Sequence, residues 1–188
     1  MTDVVHPLRL GAEAGTLSRI EGGWELRFER RLRHGPERVW AALTTPEGLK
    51  CWLAMADIDG RDGGRMNLRF TQPEVEGFPD TEECRAQHNE VLVWRPITRF
   101  DHTFGDPGSV VSWRLEPDGD GTCLTLIHRV PQSGECDLSR TLSGWHHHME
   151  GLDDAVRGVA HPWSWPRWTA LRDAYAAEVA RVPDWNER

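Results

Sequence analysis

The sequence predicts an α+β domain in which a curved antiparallel sheet of about six strands wraps one long helix on the C-terminal side. Three observations predict it. Between residues 57 and 130, short runs alternate apolar with polar residues and are separated by tight-turn residues, as in a meander of half-buried strands. From residue 138 the period changes: Leu138, Leu142, Trp145, Met149, Leu152 and Val156 recur at spacings of four, three, four, three and four, one apolar face of a helix. Ahead of the meander, Pro36 and Pro46 each stand where a first helical residue belongs, because a missing N–H costs nothing there. Two short helices therefore follow the first strand.

Taken in order, residues 16–20 form a short extended lead-in, and Gly22-Gly23 turns into Trp24, Leu26 and Phe28, with Leu32 continuing their parity. Val39, Trp40 and Leu43 stripe the first short helix. Thr44 and Thr45 offer a capping hydroxyl to the second, which Leu49, Trp52 and Leu53 close. Gly63-Gly64 leads into Met66, Leu68 and Phe70. A polar loop over 73–80 precedes a run ending in Val91, Leu92, Val93 and Trp94. Phe100, His102 and Phe104 alternate next, then Val111, Trp113 and Leu115. Asp118-Gly119-Asp120-Gly121 is a hairpin signal that returns the chain through Leu124, Leu126, His128 and Val130. Asp137 caps the long helix and Gly158 ends it, a span of about 22 residues or roughly 33 Å. A Trp/Pro segment over 161–168 follows, and Pro166 opens a last helix with Trp168, Leu171, Tyr175 and Val179 turned to the core.

The 188 residues suit a single domain, 1–188, with a core over about 16–158 and an additional Trp-rich segment and helix over about 161–182. A net charge of -8 lacks the basic stripe a nucleic-acid binder carries, so nucleic acid is not an expected partner. No stretch approaches the roughly 18 apolar residues of a membrane helix, so no membrane insertion is expected. Residues 1–15 show no apolar run behind basic residues, so no leader is expected either. Cys51, Cys84, Cys123 and Cys136 form no Cys-x-x-Cys pair and read as reduced thiols of a cytoplasmic chain. Ten tryptophans suit a large core, a cavity wall or an interface, since each buries much area around one N–H.

The stretch LRFERRLRHGPERVWAALTTPEGLKCWL, over 26–53, resembles the opening signature of the family named for the activator of heat-shock-protein-90 ATPase. DGRDGGRMNLRF, GDPGSVVSWRLEPDGDGTCLTLIHRVP and SGWHHHMEGLDDAVRG resemble its later blocks in the same order, so the likeness spans about 26–158. That resemblance implies a helix-grip fold of the START-like (SRPBCC) superfamily, with a cavity between sheet and long helix. It also implies a range of activities: relatives bind lipids, hormones or polyketides, a minority catalyse cyclisation or hydrolysis, and the eukaryotic activator acts on the chaperone. Fold alone does not select among these.

His146-His147-His148 invites a metal reading. Adjacent helical residues point about 100° apart, so three neighbouring imidazoles cannot close around one ion. By the phase of the apolar stripe, His147 faces solvent and His146 and His148 lie on opposite flanks, His146 beside Glu150 and Asp153. Asp57-x-Asp59 resembles a calcium loop, but Arg61 and Leu68 stand where ligands are required. No Gly-x-Ser-x-Gly elbow is present. No metal, cofactor or catalytic residue is assigned. The candidate cavity residues are Trp40, Trp52, Glu90, His102, Trp113, His128, Trp145 and Met149, either lining a ligand space or forming satisfied core contacts. Trp113 and Trp145 are expected to approach one apolar space from opposite sides. The reading adopted is a non-enzymatic binder of a hydrophobic or aromatic small molecule. A partner-binding module acting on a protein such as a chaperone is the alternative, and a cyclase- or hydrolase-type enzyme using inward His and Glu the second. Monomer and homodimer both remain open.

Overall fold

The computed structural model describes residues 5–132 and 137–182. The chain runs β1 (Val5–Pro7), β2 (Thr16–Ile20), β3 (Gly23–Leu32), α1 (Pro36–Thr44), α2 (Pro46–Lys50), β4 (Met55–Ile58) and β5 (Arg65–Arg69). It continues through α3 (Glu82–Arg85), β6 (Ala86–Arg95), β7 (Arg99–Thr103), β8 (Val110–Asp118) and β9 (Gly121–Pro131). Three helices complete the described fold: α4 (Leu138–Glu150), α5 (Leu152–Val156) and α6 (Trp165–Val179). The strands form one antiparallel sheet in the order β1-β2-β3-β9-β8-β7-β6-β5-β4, with α4 across its concave face, an arrangement consistent with a helix grip.

Nine strands replace the six expected. The additions sit at the two edges. β1 is three residues long, and in β4 Met55 is 51% exposed while Ala56 and Ile58 are only half-buried. An edge strand pairs on one side and buries little on either face, so it leaves almost no alternation to read. The centre of the sheet is the opposite case. β3 pairs with β9 along its whole length, Gly23 opposite Pro131 to Leu32 opposite Thr122. Leu26, Phe28, Leu124 and Leu126 are essentially inaccessible there. A Cβ on Gly23 would lie 2.2 Å from the Val130 carbonyl oxygen, so only glycine admits this strand approach.

The short helices begin as their prolines predict, and the Gly48 N–H donates to Thr45 Oγ1 at 3.1 Å. The long helix does not survive as one piece. α4 spans 13 residues, about 20 Å, and stops at Gly151, whose N–H turns back to the His148 carbonyl at 3.1 Å. α5 then resumes, so Leu152 and Val156 stay in the core although the helical ladder is interrupted. Only glycine fits at the break, because a Cβ at Gly151 would sit 2.5 Å from the His161 Cβ. Gly158, at φ +77, ends α5 as expected.

α6 is held through Leu171, Tyr175 and Val179, all buried. Trp168, expected on the same stripe, is only half-buried. Arg85 is the least expected core residue. Its guanidinium donates to the carbonyls of Gln72, Phe78 and Pro79 and lies 4.4 Å from the centre of the Phe78 ring. One buried cation thereby ties the polar loop of residues 72–80 to the end of the sheet.

Candidate functional site

Between α4, the start of α6, the Arg85-tethered loop and the ends of β5, β6 and β7 lies an open cavity of about 840 Å³. Phe70, Phe104, Val130, Trp145, Trp163 and Trp165 supply its apolar wall. Gln72, Gln87, Ser109, His128 and His148 supply polar groups, and Arg140, Arg172, Glu76 and Asp106 line it as well. A side cavity of about 240 Å³, lined by Trp52 and His161 among others, shares Gln72, His148 and Trp163 with it. Gly144 faces this space from the helix. It lies mid-helix in α4 on the cavity side, and a Cβ there would meet nothing within 4 Å. Glycine inside a helix costs about 1 kcal/mol relative to alanine, and packing does not require it here.

Hydrogen bonds fix the protonation of the polar groups. The Trp145 indole N–H donates to His128 Nδ1 at 2.9 Å. An indole only donates, so Nδ1 is the acceptor and the ring proton sits on Nε2, which donates to Ser109 Oγ at 2.7 Å. Burial, with His102 nearby, pushes the His128 pKa down to about 3 and holds the ring neutral. His102 follows the same logic: Nε2 accepts from the Trp113 indole at 3.3 Å, and Nδ1–H donates to the Thr103 carbonyl at 2.8 Å. Burial lowers its pKa to about 4. The Ser109–His128 contact is therefore no nucleophile–base pair, because the imidazole donates to the hydroxyl where a base would accept from it. It leaves the Ser109 proton available to an acceptor in the cavity.

Each histidine of the triplet has its own partners. His146 Nδ1 is hydrogen-bonded to the Tyr175 hydroxyl at 2.7 Å, and that oxygen accepts the Gly15 N–H at 3.1 Å. His147 donates from Nδ1 to Glu150 at 2.8 Å and accepts the Ser164 N–H at Nε2, 3.0 Å away. His148 donates from Nδ1 to the Trp52 carbonyl at 2.8 Å. Burial lowers the pKa of all three, to about 4 for His146 and His148. The expectation that His147 faces solvent is corrected: it is buried because the 161–168 segment folds over it, with the Trp163 ring centre 4.5 Å away. Among the described residues, no three His, Cys, Asp or Glu side chains converge as a metal-binding group. Cys51, Cys84 and Cys123 are free thiols, and Cys136 lies outside the described residues.

Of the sequence candidates, His128 and Trp145 line the main cavity and Trp52 the side cavity. His102 and Trp113 are buried in the packed layer behind them, and Met149 is buried in the core outside both spaces. Trp113 and Trp145 do not flank an empty space. Their rings touch edge to face with centres 5.7 Å apart, so the ligand-sized volume is displaced toward Phe70 and Phe104. Trp40 is half-buried and packs away from both cavities against Trp94 and Phe100, its ring centre 5.0 Å from that of Trp94. Glu90 is exposed. The structure shifts β6 by one residue at a bulge between Val91 and Val93, which places Asn89 and Val91 inward and turns Glu90 and Leu92 out. Gln72, Gly144 and Trp163 were not among the candidates. Gln72 lies in a loop without periodicity, and a lone helical glycine was the only available signal for Gly144.

Residues 33–157 match the family model described as activator of Hsp90 ATPase homolog 1-like protein. No curated protein is matched by the chain. Among solved structures it is similar to a conserved protein of unknown function from Enterococcus faecalis, at 16% identity, covering 90% of this chain and 92% of that one, with a TM-score of 0.68. It is similar to CalU16 from Micromonospora echinospora, at 22% identity, covering 95% and 99%, with a TM-score of 0.65. A protein from Bordetella parapertussis, solved in solution, aligns at 25% identity over 96% and 92%, with a TM-score of 0.64. No helix among the described residues is long and apolar enough to cross a membrane. The match to the family model begins just after β3 and spans α1, α2, the meander and the α4–α5 pair, which supply much of the cavity wall, and the chain belongs to the family of activator of Hsp90 ATPase homolog 1-like proteins.

Proposed function

We propose that the chain binds a neutral, largely aromatic small molecule in the cavity between α4 and the sheet, acting as a binder in place of an enzyme. The observation that carries this reading is the cavity itself, about 840 Å³ walled by Phe70, Phe104, Trp145, Trp163 and Trp165, onto which α4 opens at Gly144, where a Cβ would meet nothing within 4 Å. The tautomer of His128 supports binding over nucleophilic catalysis, since its proton already points at Ser109. Partner binding on a chaperone, which the family name suggests, needs no open interior, so the two readings separate experimentally.

The test is a plug. Gly144→Phe directs a ring into the space where a Cβ meets no neighbour, and replacing a mid-helix glycine recovers about 0.5 kcal/mol of helix propensity. The variant should melt at or above the wild-type temperature yet lose saturable binding of 2-naphthol measured by calorimetry. Undiminished binding in the plugged protein would place the ligand elsewhere and sink the reading.

A further inference from the structure

Resting on the cavity reading above, we infer that Trp163 sets the length of the ligand. It is the wall between the main cavity and the side cavity, and its bulk confines the site to compact, fused-ring aromatics. Besides Gln72, His148 and Trp163, Leu53 lines both spaces, so these four residues stand between them. Three of the four are locked in place. Leu53 is buried in the core at 5% exposure. The Gln72 carbonyl accepts from Arg85, and its amide is hydrogen-bonded to His148 at 3.3 Å. His148 is in turn tied to the Trp52 carbonyl at 2.8 Å.

Trp163 is held differently. The indole N–H groups of Trp52, Trp113, Trp145 and Trp165 each donate to an acceptor, whereas that of Trp163 has none. Contact with other rings holds it instead: His147 with centres 4.5 Å apart, His148 at 4.7 Å and Trp165 at 5.3 Å. The residue is half-buried, so part of it is open to the spaces it divides. Its backbone is pinned on both sides. The His161 N–H donates to the Cys51 carbonyl at 2.8 Å, and the Ser164 N–H to His147 Nε2 at 3.0 Å. Trimming the Trp163 side chain therefore removes a wall and no hydrogen bond.

The space behind it is large enough for an aryl group. At about 240 Å³ it exceeds the roughly 150 Å³ that encloses benzene in a protein core. Trp52, Leu53, Pro73 and Pro162 give it apolar walls. In the intact protein a ligand extended in this direction meets Trp163, and whatever does not fit the main cavity stays in water. With Trp163 cut back, an arm passes beside Leu53, Gln72 and His148 into the side cavity. Burying one phenyl ring there is worth about tenfold or more in affinity.

Two probes test this: 2-naphthol and 6-phenyl-2-naphthol, which share the fused body and the hydroxyl and differ by one phenyl arm. Their affinities are measured by calorimetry for wild type, Trp163→Ala and Trp168→Ala. Trp168 lines the main cavity but not the side cavity, so its variant reports the loss of an aromatic wall alone. The ratio of the two affinities should shift toward the armed probe by at least about tenfold in Trp163→Ala and by less than about twofold in Trp168→Ala. Trp163→Leu keeps an apolar side chain at this position and should shift the ratio the same way by a smaller factor. It decides the matter if the alanine variant does not melt cooperatively. Ratios in the Trp163 variants no different from that in Trp168→Ala would overturn Trp163 as the length stop and leave the cavity reading standing. If neither probe binds wild type saturably, the cavity reading fails and this inference with it.

Discussion

Lowering the pH from 7 to 5 should remove a large share of this protein's stability, well before its carboxylates are neutralised. His102, His128 and His148 are buried and neutral, with pKa values pushed down by burial to about 4, 3 and 4. In the unfolded chain each titrates near 6.5. Between pH 6.5 and about 4 the unfolded state therefore binds protons that the folded state refuses, and stability falls as pH falls. Each group loses about 1.4 kcal/mol per pH unit in that window, or about 2 kcal/mol by pH 5. Three such groups together remove about 6 kcal/mol, against a typical domain stability of about 5–15 kcal/mol. Urea unfolding followed by circular dichroism at pH 7, 6 and 5 reads this directly. The midpoint should drop steeply while the slope of stability against denaturant stays constant. Equal midpoints at pH 7 and pH 5 would show that these rings are solvated or already charged in the folded state.

That sensitivity has its origin in features the sequence displays only in part. His102 and His128 stand in phase with Phe100, Phe104, Leu126 and Val130, so period-two alternation alone turns them inward. Their tautomers, however, depend on indoles from other elements, Trp113 and Trp145, and no spacing along the chain brings those pairs together. The apolar face of α4 was legible for the same reason as the strands: one face meets one core. His147 was not. A helix with a single buried face has a solvent face by default, and what covers it comes from the 161–168 segment, which carries no periodicity of its own. The bulge in β6 is a third kind of case. One extra residue between Val91 and Val93 reverses which side chains point inward on the N-terminal half of the strand. Val91 and Leu92 are equally apolar, so hydropathy alone does not reveal where the slip occurs. Gly144, which faces the cavity, was visible in the sequence but silent, because a helical glycine acquires meaning only once the space beside it is known.

Truncation after His161 should cost the protein its fold or most of its thermal margin, even though everything removed lies beyond the part of the chain that matches the family. Leu171, Tyr175, Val179 and Val182 are buried, and losing the burial of four such side chains and of the core they cover costs about 6–10 kcal/mol before chain entropy is credited back. The polar losses act in the same direction. His146 Nδ1 loses the Tyr175 hydroxyl, His147 Nε2 loses the Ser164 N–H, and Glu150 loses Arg167, which donates to it at 2.5 Å. Tyr175 also holds the N-terminal segment through the Gly15 N–H, so the last helix fastens both ends of the chain to α4. A residual stability loss of even 5 kcal/mol would lower the melting temperature of a chain this size by about 10–20 °C. Tyr175→Phe isolates the polar share. It keeps the ring and its packing, leaves a buried imidazole nitrogen and a buried N–H unpaired, and should cost about 1–3 kcal/mol, a fall of a few degrees in a soluble, cooperatively melting protein. A truncated chain that stays soluble and melts like the full-length protein would show that α6 only rests on the domain. A Tyr175→Phe variant with an unchanged melting curve would move the whole effect onto apolar burial and deny the hydroxyl its role between His146 and Gly15.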